Sequence, residues 1–310
     1  SRDWSSDVCS SDLSTAQEER AHAVGLAMAL AGAIAFSGKA IIAKLSYRYG
    51  VDAITVVMFR MLFALPLFVG LGWWGSRGRA PLTGRDRLTI LSLGFTGYYL
   101  ASTLDFAGLQ DISASLERLI LYLNPTIVLA LGVMLHGQKV KPRQLWALGV
   151  SYAGVLLVFG HEVSFSGEHA VRGALLVFGS AVSYAIYLVH SGQAVGRIGA
   201  LRLTGWATAV ACVLCIAQFL LLRPLSAAQV APQVLQLALL NAVACTFAPV
   251  LLVMLAIERV GASVAAQTGM VGPIATIALG VVLLGEPLNA WIIAGTVLVM
   301  GGVWLLARLR

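Results

Sequence analysis

Five charged side chains stand inside otherwise apolar stretches of this 310-residue chain: Lys39, Arg60, Asp105, Glu117 and Arg118. Glu117 and Arg118 are neighbours in the run DISASLERLILYLNP, from Asp111 to Pro125, and the stretch stays apolar as far as Leu135. An ionised side chain at the centre of a bilayer costs about 3 kcal/mol even on the mildest scale, so such groups face a partner or a watery cavity and mark a functional site. The chemistry open to this set is electrostatic recognition. Lys39, Arg60 and Arg118 outnumber Asp105 and Glu117, and together they would attract an anionic or carboxylate-bearing solute. The two acids would hold the cations in place, and one of them is the candidate carrier of a coupling proton. Two other roles suit the same residues: a salt-bridge network that only ties helices together, and snorkelling of long side chains to the membrane surface.

Two prolines in mid-span join the set, Pro125 after Asn124 and Pro273 after Gly272. Proline donates no N–H and frees the carbonyl of the preceding turn, and such breaks suit a substrate cavity, a hinge or a packed kink. Asn124, Tyr184 and Gln267, with Asn241 and Tyr99, are further polar residues inside the spans. They could line the same cavity, and each alone also suits an interhelical hydrogen bond.

The elements that must position these residues follow from composition. The chain is 59% hydrophobic and 11% charged, whereas an ordinary soluble domain has roughly 25% charged residues. A soluble protein of this size could not bury so much apolar surface, so the chain is predicted to be an all-α integral membrane protein. Ten apolar spans fall at about 23–46, 53–74, 88–109, 112–135, 144–160, 172–191, 203–222, 233–256, 262–284 and 289–307. Each is near the ~20 residues that cross ~30 Å of hydrocarbon. The longest connecting loops, 75–87 and 161–171, hold about a dozen residues, too few for a soluble domain. Residues 1–21 are polar and predicted to be a disordered tail, and the first thirteen resemble a translated adaptor rather than native sequence.

Lys and Arg counts give the orientation. With a cytoplasmic N-terminus, fourteen of them lie on the inner side, and only Lys44, Arg48, Arg172 and Arg223 on the outer. The positive-inside rule then puts both termini in the cytoplasm of a cytoplasmic (inner) membrane, with Trp73, Trp74, Trp146 and Trp304 near the inner interface and Trp291 near the outer. At ~1.5 Å per residue all five buried charges fall in the outer third of the bilayer, from four different spans. The net charge of +7 sits mostly in short loops, which suits anionic lipid headgroups rather than nucleic acid. The partners implied are a small-molecule substrate, the lipid bilayer and a coupling proton.

The two halves also match each other. At an offset of 148 residues Gly25 pairs with Gly173, Ala33 with Ala181, and Ala114, Ser115, Pro125 and Gly137 with Ala262, Ser263, Pro273 and Gly285. That period covers five spans, and an odd number inverts the second half. Inverted repeats are the architecture of secondary transporters, with the substrate between the halves near mid-membrane. The five positions matching the buried charges are Tyr187, Thr208, Val253, Ala265 and Ala266, none charged, so the charges serve one half only.

Two runs, VGPIATIALGVVLLGEPLNAWIIAGTVLVMGGVWLL and LNPTIVLALGVMLHGQKVKPRQLWALGVSYAGVLLV, carry a resemblance. With Pro273, Gly285 and Glu286 in one half and Pro125 and Gly137 in the other, the chain resembles the drug/metabolite transporter superfamily, EamA type. Gln138 stands where that family usually has Glu. The resemblance implies ten transmembrane helices in two inverted five-helix repeats, 22–160 and 172–307, forming a cytoplasmic-membrane carrier that exports amino acids or other small metabolites. An uncoupled facilitator and an integral-membrane lipid-modifying enzyme are the alternatives.

Other motifs lead nowhere. GAIAFSGKA, Gly32 to Ala40, is one residue too long for a phosphate-binding loop and has no Ser or Thr after Lys39. Cys212 and Cys215 form a CxxC within an apolar span, where helix packing explains them better than zinc or redox chemistry. His161, Glu162 and His169 lack zincin spacing and read as a solvated loop. No metal, cofactor or catalytic residue is expected, and the chain reads as a carrier rather than an enzyme.

Overall fold

The computed structural model describes residues 4–136 and 141–308, with side chains from 22 onward apart from positions 135, 136, 165, 166, 193, 258, 262, 263 and 265–267. The described chain is helical throughout. Its helices are α1 Trp4–Tyr47, α2 Ala53–Trp74, α3 Gly84–Gly94, α4 Ala101–Leu109, α5 Ala114–Leu121, α6 Asn124–His136, α7 Pro142–Ile198, α8 Ala200–Leu222, α9 Pro232–Ala242, α10 Ala248–Thr268, α11 Gly272–Leu279 and α12 Ala290–Arg308. A bilayer leaves backbone N–H and C=O groups no water to bond, so apolar runs of this length close their hydrogen bonds internally as helices. Polar residues at the edges fix where they begin. Asp52 caps α2, accepting from the Ile54 N–H and the Thr55 hydroxyl. Thr83 caps α3 and Ser113 caps α5.

Among the described residues, eight helical stretches are long and apolar enough to cross a membrane: 22–47, 53–74, 114–134, 142–164, 167–192, 200–222, 232–257 and 290–308. Ten were expected, and the two exceptions have local causes. The third expected span is helical from Gly84 to Leu109 through a π turn at Phe95–Leu100, but Thr96, Tyr98, Tyr99, Ser102, Thr103 and Asp105 make it less apolar than the other eight. The ninth begins its regular helix only at Gly272, after a 3-10 turn at Gly269–Val271, because Pro273 cannot donate into an α-helical ladder. Two further expectations give way. The helix begins at Trp4, where a disordered tail over 1–21 was predicted. The predicted loop 161–171 is helix on both sides of Gly167, whose φ of 57° breaks α7 in two.

The irregularities repeat. The π turns at Phe95–Leu100 and Val243–Phe247 begin 148 residues apart, and so do α6 and α11, at Asn124 and Gly272. The packing repeats too. Helix α2 lies along α8, the first part of α7 along α12, α1 along α10, and α4 along the second part of α7. Between α7 and α12 the backbones nearly touch. A Cβ on Gly154 would lie 2.7 Å from the Gly295 carbonyl, and one on Gly302 would lie 2.7 Å from the Ala147 carbonyl. These two contacts are exchanged by the 148-residue offset, and the helices run antiparallel.

The two largest apolar clusters among the described residues lie around Leu116, Leu119, Val158, Val177 and Val299, and around Ile41, Val56, Met61, Phe68 and Phe106. Cys212 and Cys215 belong to the second and are free thiols. Large apolar side chains such as Leu62, Leu221, Val282 and Val297 are exposed around the outside, the surface a bilayer would cover.

Candidate functional site

The interior holds a cavity of about 250 Å³. Lys39 reaches it from α1, Arg60 from α2, Asp105 from α4, Arg118 from α5, Asn124 from the start of α6 and Tyr184 from α7. The π turns open onto it as well, through Gly97 and Tyr98 on one and Thr246 on the other. A π turn adds one residue to a helical turn and points side chains where a regular helix would not.

The charges divide into two groups. The Lys39 ammonium contacts Asp105 Oδ2 and lies 3.5 Å from Glu117 Oε1. Glu117 is 1% exposed and sits behind the lysine, outside the cavity wall. Asp105 Oδ1 and both Glu117 oxygens accept no protein hydrogen bond. One ammonium therefore serves two buried carboxyl groups. The second group is the arginines. Arg60 is 3% exposed and stacks on Phe106, its guanidinium carbon 4.4 Å from the ring centroid. Its Nε and Nη2 have no hydrogen-bond partner. Arg118 donates from Nε to the Thr276 hydroxyl at 2.8 Å and from Nη2 to the Ser37 hydroxyl at 3.1 Å, with Phe36 beneath it. Among the described residues neither arginine forms an ion pair.

The proline breaks are satisfied from within. Pro125 frees the Leu121 carbonyl, which accepts from Asn124 Nδ2 at 2.7 Å. Pro273 frees the Gly269 carbonyl, which accepts from the Tyr122 hydroxyl at 3.2 Å. Asn124 is thereby held with its Oδ1 buried and unpartnered beside the cavity. Tyr184 stacks on Tyr187 at 5.5 Å, and Tyr187 meets Tyr98 edge-on with their hydroxyls 3.1 Å apart. Asn241 donates to the Lys39 carbonyl, whereas Tyr99 packs on Phe95 away from the cavity wall. The Gln267 side chain, like Gly137 and Gln138, lies outside the described residues.

Sequence reasoning missed Ser37 and Thr276, the hydroxyls that hold Arg118, because small hydroxyl residues in a span carry no signal of their own. It also misjudged Glu162. That carboxylate is no solvated loop group but bonds the N–H and hydroxyl of Ser113, and its neighbour His161 pairs with Asn289 and stacks on Trp291.

Known proteins agree with this architecture. A solved crystal structure superposes with a TM-score of 0.61 at 17% identity, covering 92% of this chain and 96% of that one. The uncharacterized transporter YcbK of Bacillus subtilis is 30% identical over 276 residues, 87% of this chain and 88% of its own. A Salmonella typhimurium protein named "Probable amino-acid metabolite efflux pump" is 24% identical over 242 residues, 74% of this chain and 78% of its own. The model of the EamA-like transporter family matches twice, over residues 23–160 and 171–308. With an all-helical fold, lipid-length apolar helices and a duplicated family domain, this multi-pass membrane protein belongs to the EamA-like transporter family.

Proposed function

We propose that the chain is a secondary carrier of small anionic or zwitterionic metabolites, such as amino acids or organic acids. It is an exporter of the cytoplasmic membrane with both termini inside. Ten spans form two inverted five-helix repeats, 22–160 and 172–307, that rock about the cavity to expose it to one side at a time. The exchanged Gly154–Gly295 and Ala147–Gly302 contacts support inversion, since a two-fold axis relating antiparallel helices lies across them. The name of the Salmonella typhimurium relative supports the substrate class.

The observation that carries the proposal is the pair of buried arginines facing the cavity with no ion-pair partner among the described residues. A buried, unpaired cation is costly, and a bound carboxylate would offset that cost with charge-assisted hydrogen bonds. Asp105 Oδ1 and Asn124 Oδ1 wait as acceptors for a substrate donor. The Phe36, Phe68, Tyr98, Tyr122 and Tyr184 rings supply apolar contact. Glu117, with two buried oxygens unsatisfied beside Lys39, is the place for a coupling proton.

The test is transport in proteoliposomes, screening labelled amino acids and small organic acids with and without a pH gradient. Saturable movement of one of them, abolished in Arg118→Ala in a folded protein, is the expected result. Normal transport by that variant would sink the site. Movement that a protonophore leaves unchanged would favour an uncoupled facilitator.

A further inference from the structure

The start of α5 is held by two carboxylates, one from the stretch that continues the first half and one from the second half. Ser113 donates to Glu162, through its N–H at 2.5 Å and its hydroxyl at 2.8 Å. The next two residues turn to the second half. Ala114 donates its N–H to Glu286 Oε1 at 2.8 Å, and Ser115 donates to Oε2 through its N–H at 3.3 Å and its hydroxyl at 2.9 Å. The first turn of a helix carries unpaired N–H groups and partial positive charge, so a carboxylate is a strong cap there.

The second half is shaped to deliver that carboxylate. A π turn over Gly280–Leu284 ends at Gly285, whose φ of 72° only glycine adopts freely, and this turns Glu286 back over the helix. The Glu286 N–H donates to the Gly280 carbonyl at 3.1 Å. A Cβ on Gly280 would lie 3.0 Å from Glu286 Oε2, so the missing side chain there makes room for the carboxylate. Arg48 of the first half donates to the Leu284 carbonyl at 2.5 Å, a second link across the same seam.

We infer that Glu286 is a positioning residue for transport: a latch between the halves that seats α5 against the second half at the outer face and lets go when that face opens. Arg118 stands one helical turn past Ala114, and its bond to Thr276 crosses the same seam. Withdrawing α5 from Glu286 therefore also loosens the arginine that meets substrate. Glu162 differs in kind. It stands at the end of the helical stretch 142–164, before the Gly167 break and continuous with the first half that holds Ser113, so their bonds travel with α5 and cross no moving seam. The inference rests on the alternating-access reading, and its test must fail separately from that reading.

Spin labels at Gln110 and Leu288, exposed outer positions on either side of the latch, report the seam by pulsed electron-electron distance measurement. The background has the native cysteines replaced by alanine. In Glu286→Gln an amide nitrogen replaces one of the two accepting oxygens and the charge is lost. Bonds to a charged group are strong enough that this raises the long-to-short distance ratio about tenfold. Glu162→Gln makes the same chemical change on the same helix start, and leaves the ratio within about twofold of wild type because it cuts no link between halves. A wild-type ratio in Glu286→Gln overturns the latch, and so does an equal shift in both variants. Arg118→Ala is followed in parallel: normal transport there removes the binding site and leaves the distance result standing.

Discussion

Arg60 is the residue on which site and stability pull apart. Its guanidinium is buried against Phe106 with two nitrogens unpartnered, an arrangement that weakens the empty protein. Replacing it with methionine keeps the volume and removes the charge. Arg60→Met is expected to raise thermal stability in detergent by about 1 kcal/mol or more, while transport falls at least about tenfold. A variant that loses stability and transport together would show that Arg60 holds the bundle. Lys39 gives the contrasting case. It stands between Asp105 and Glu117, so Lys39→Met leaves two buried carboxyl groups without their cation, and destabilisation of about 3 kcal/mol is expected.

At the level of single helices, caps and breaks decide the outcome. The Thr83 hydroxyl and N–H both donate to Asp86, closing a capping box at the start of α3, and Arg197 pairs with the same carboxylate. Those bonds, the Thr83 ones first, hold the Asp86 carboxyl below the usual aspartate range. A depressed pKa contributes stability that is complete above the ordinary value near 3.9 and fades as pH falls through the lower folded value. Melting curves between pH 7 and pH 3 should therefore show wild type losing stability at the acid end. Asp86→Asn, lower at neutral pH, should lose less on acidification. A wild-type slope in Asp86→Asn would remove this role. The broken ninth span offers a second measurement. Tyr122 donates, beside the Gly272 N–H, to the carbonyl that Pro273 cannot bond, and Tyr122→Phe is expected to cost about 1 kcal/mol, read as a lower melting temperature.

For the whole molecule, the governing contact is the close approach of α7 and α12 across the two halves. A side chain at Gly295 would meet Val158 at 2.3 Å and the Gly154 carbonyl at 2.7 Å, backbone that cannot yield. Gly295→Leu should separate the halves and abolish both a monodisperse elution profile and transport. Gly301, six residues further along with open space beside it, should accept alanine without effect. Equal tolerance at both positions would mean that the halves do not depend on this packing.

The repeat was visible in sequence because it is written in backbone-determining residues. Pro125 and Pro273 fix where a helix must restart, and they do so 148 residues apart wherever the chain is read. The π turns at Phe95 and Val243 obey the same offset but left no mark, since a π turn answers to packing rather than to a residue type. The charged residues announced themselves by cost, because few side chains are worse placed in an apolar span. Their partners did not. That Lys39 lies between Asp105 and Glu117 while Arg60 and Arg118 form no ion pair among the described residues depends on which helices lie side by side, and residues 39, 105 and 117 give no local hint of it. Glu286 is the plainest instance. Sequence presented it as half of a Gly-Glu pair beyond a span, and only the folded chain brings it to Ala114 and Ser115, 172 and 171 residues away. Hydropathy, charge asymmetry and period by themselves determined a membrane-embedded, duplicated helical chain, since the bilayer acts on each segment independently. Which charge meets which, and where a cavity remains, only the tertiary structure decided, because those are properties of contacts between segments.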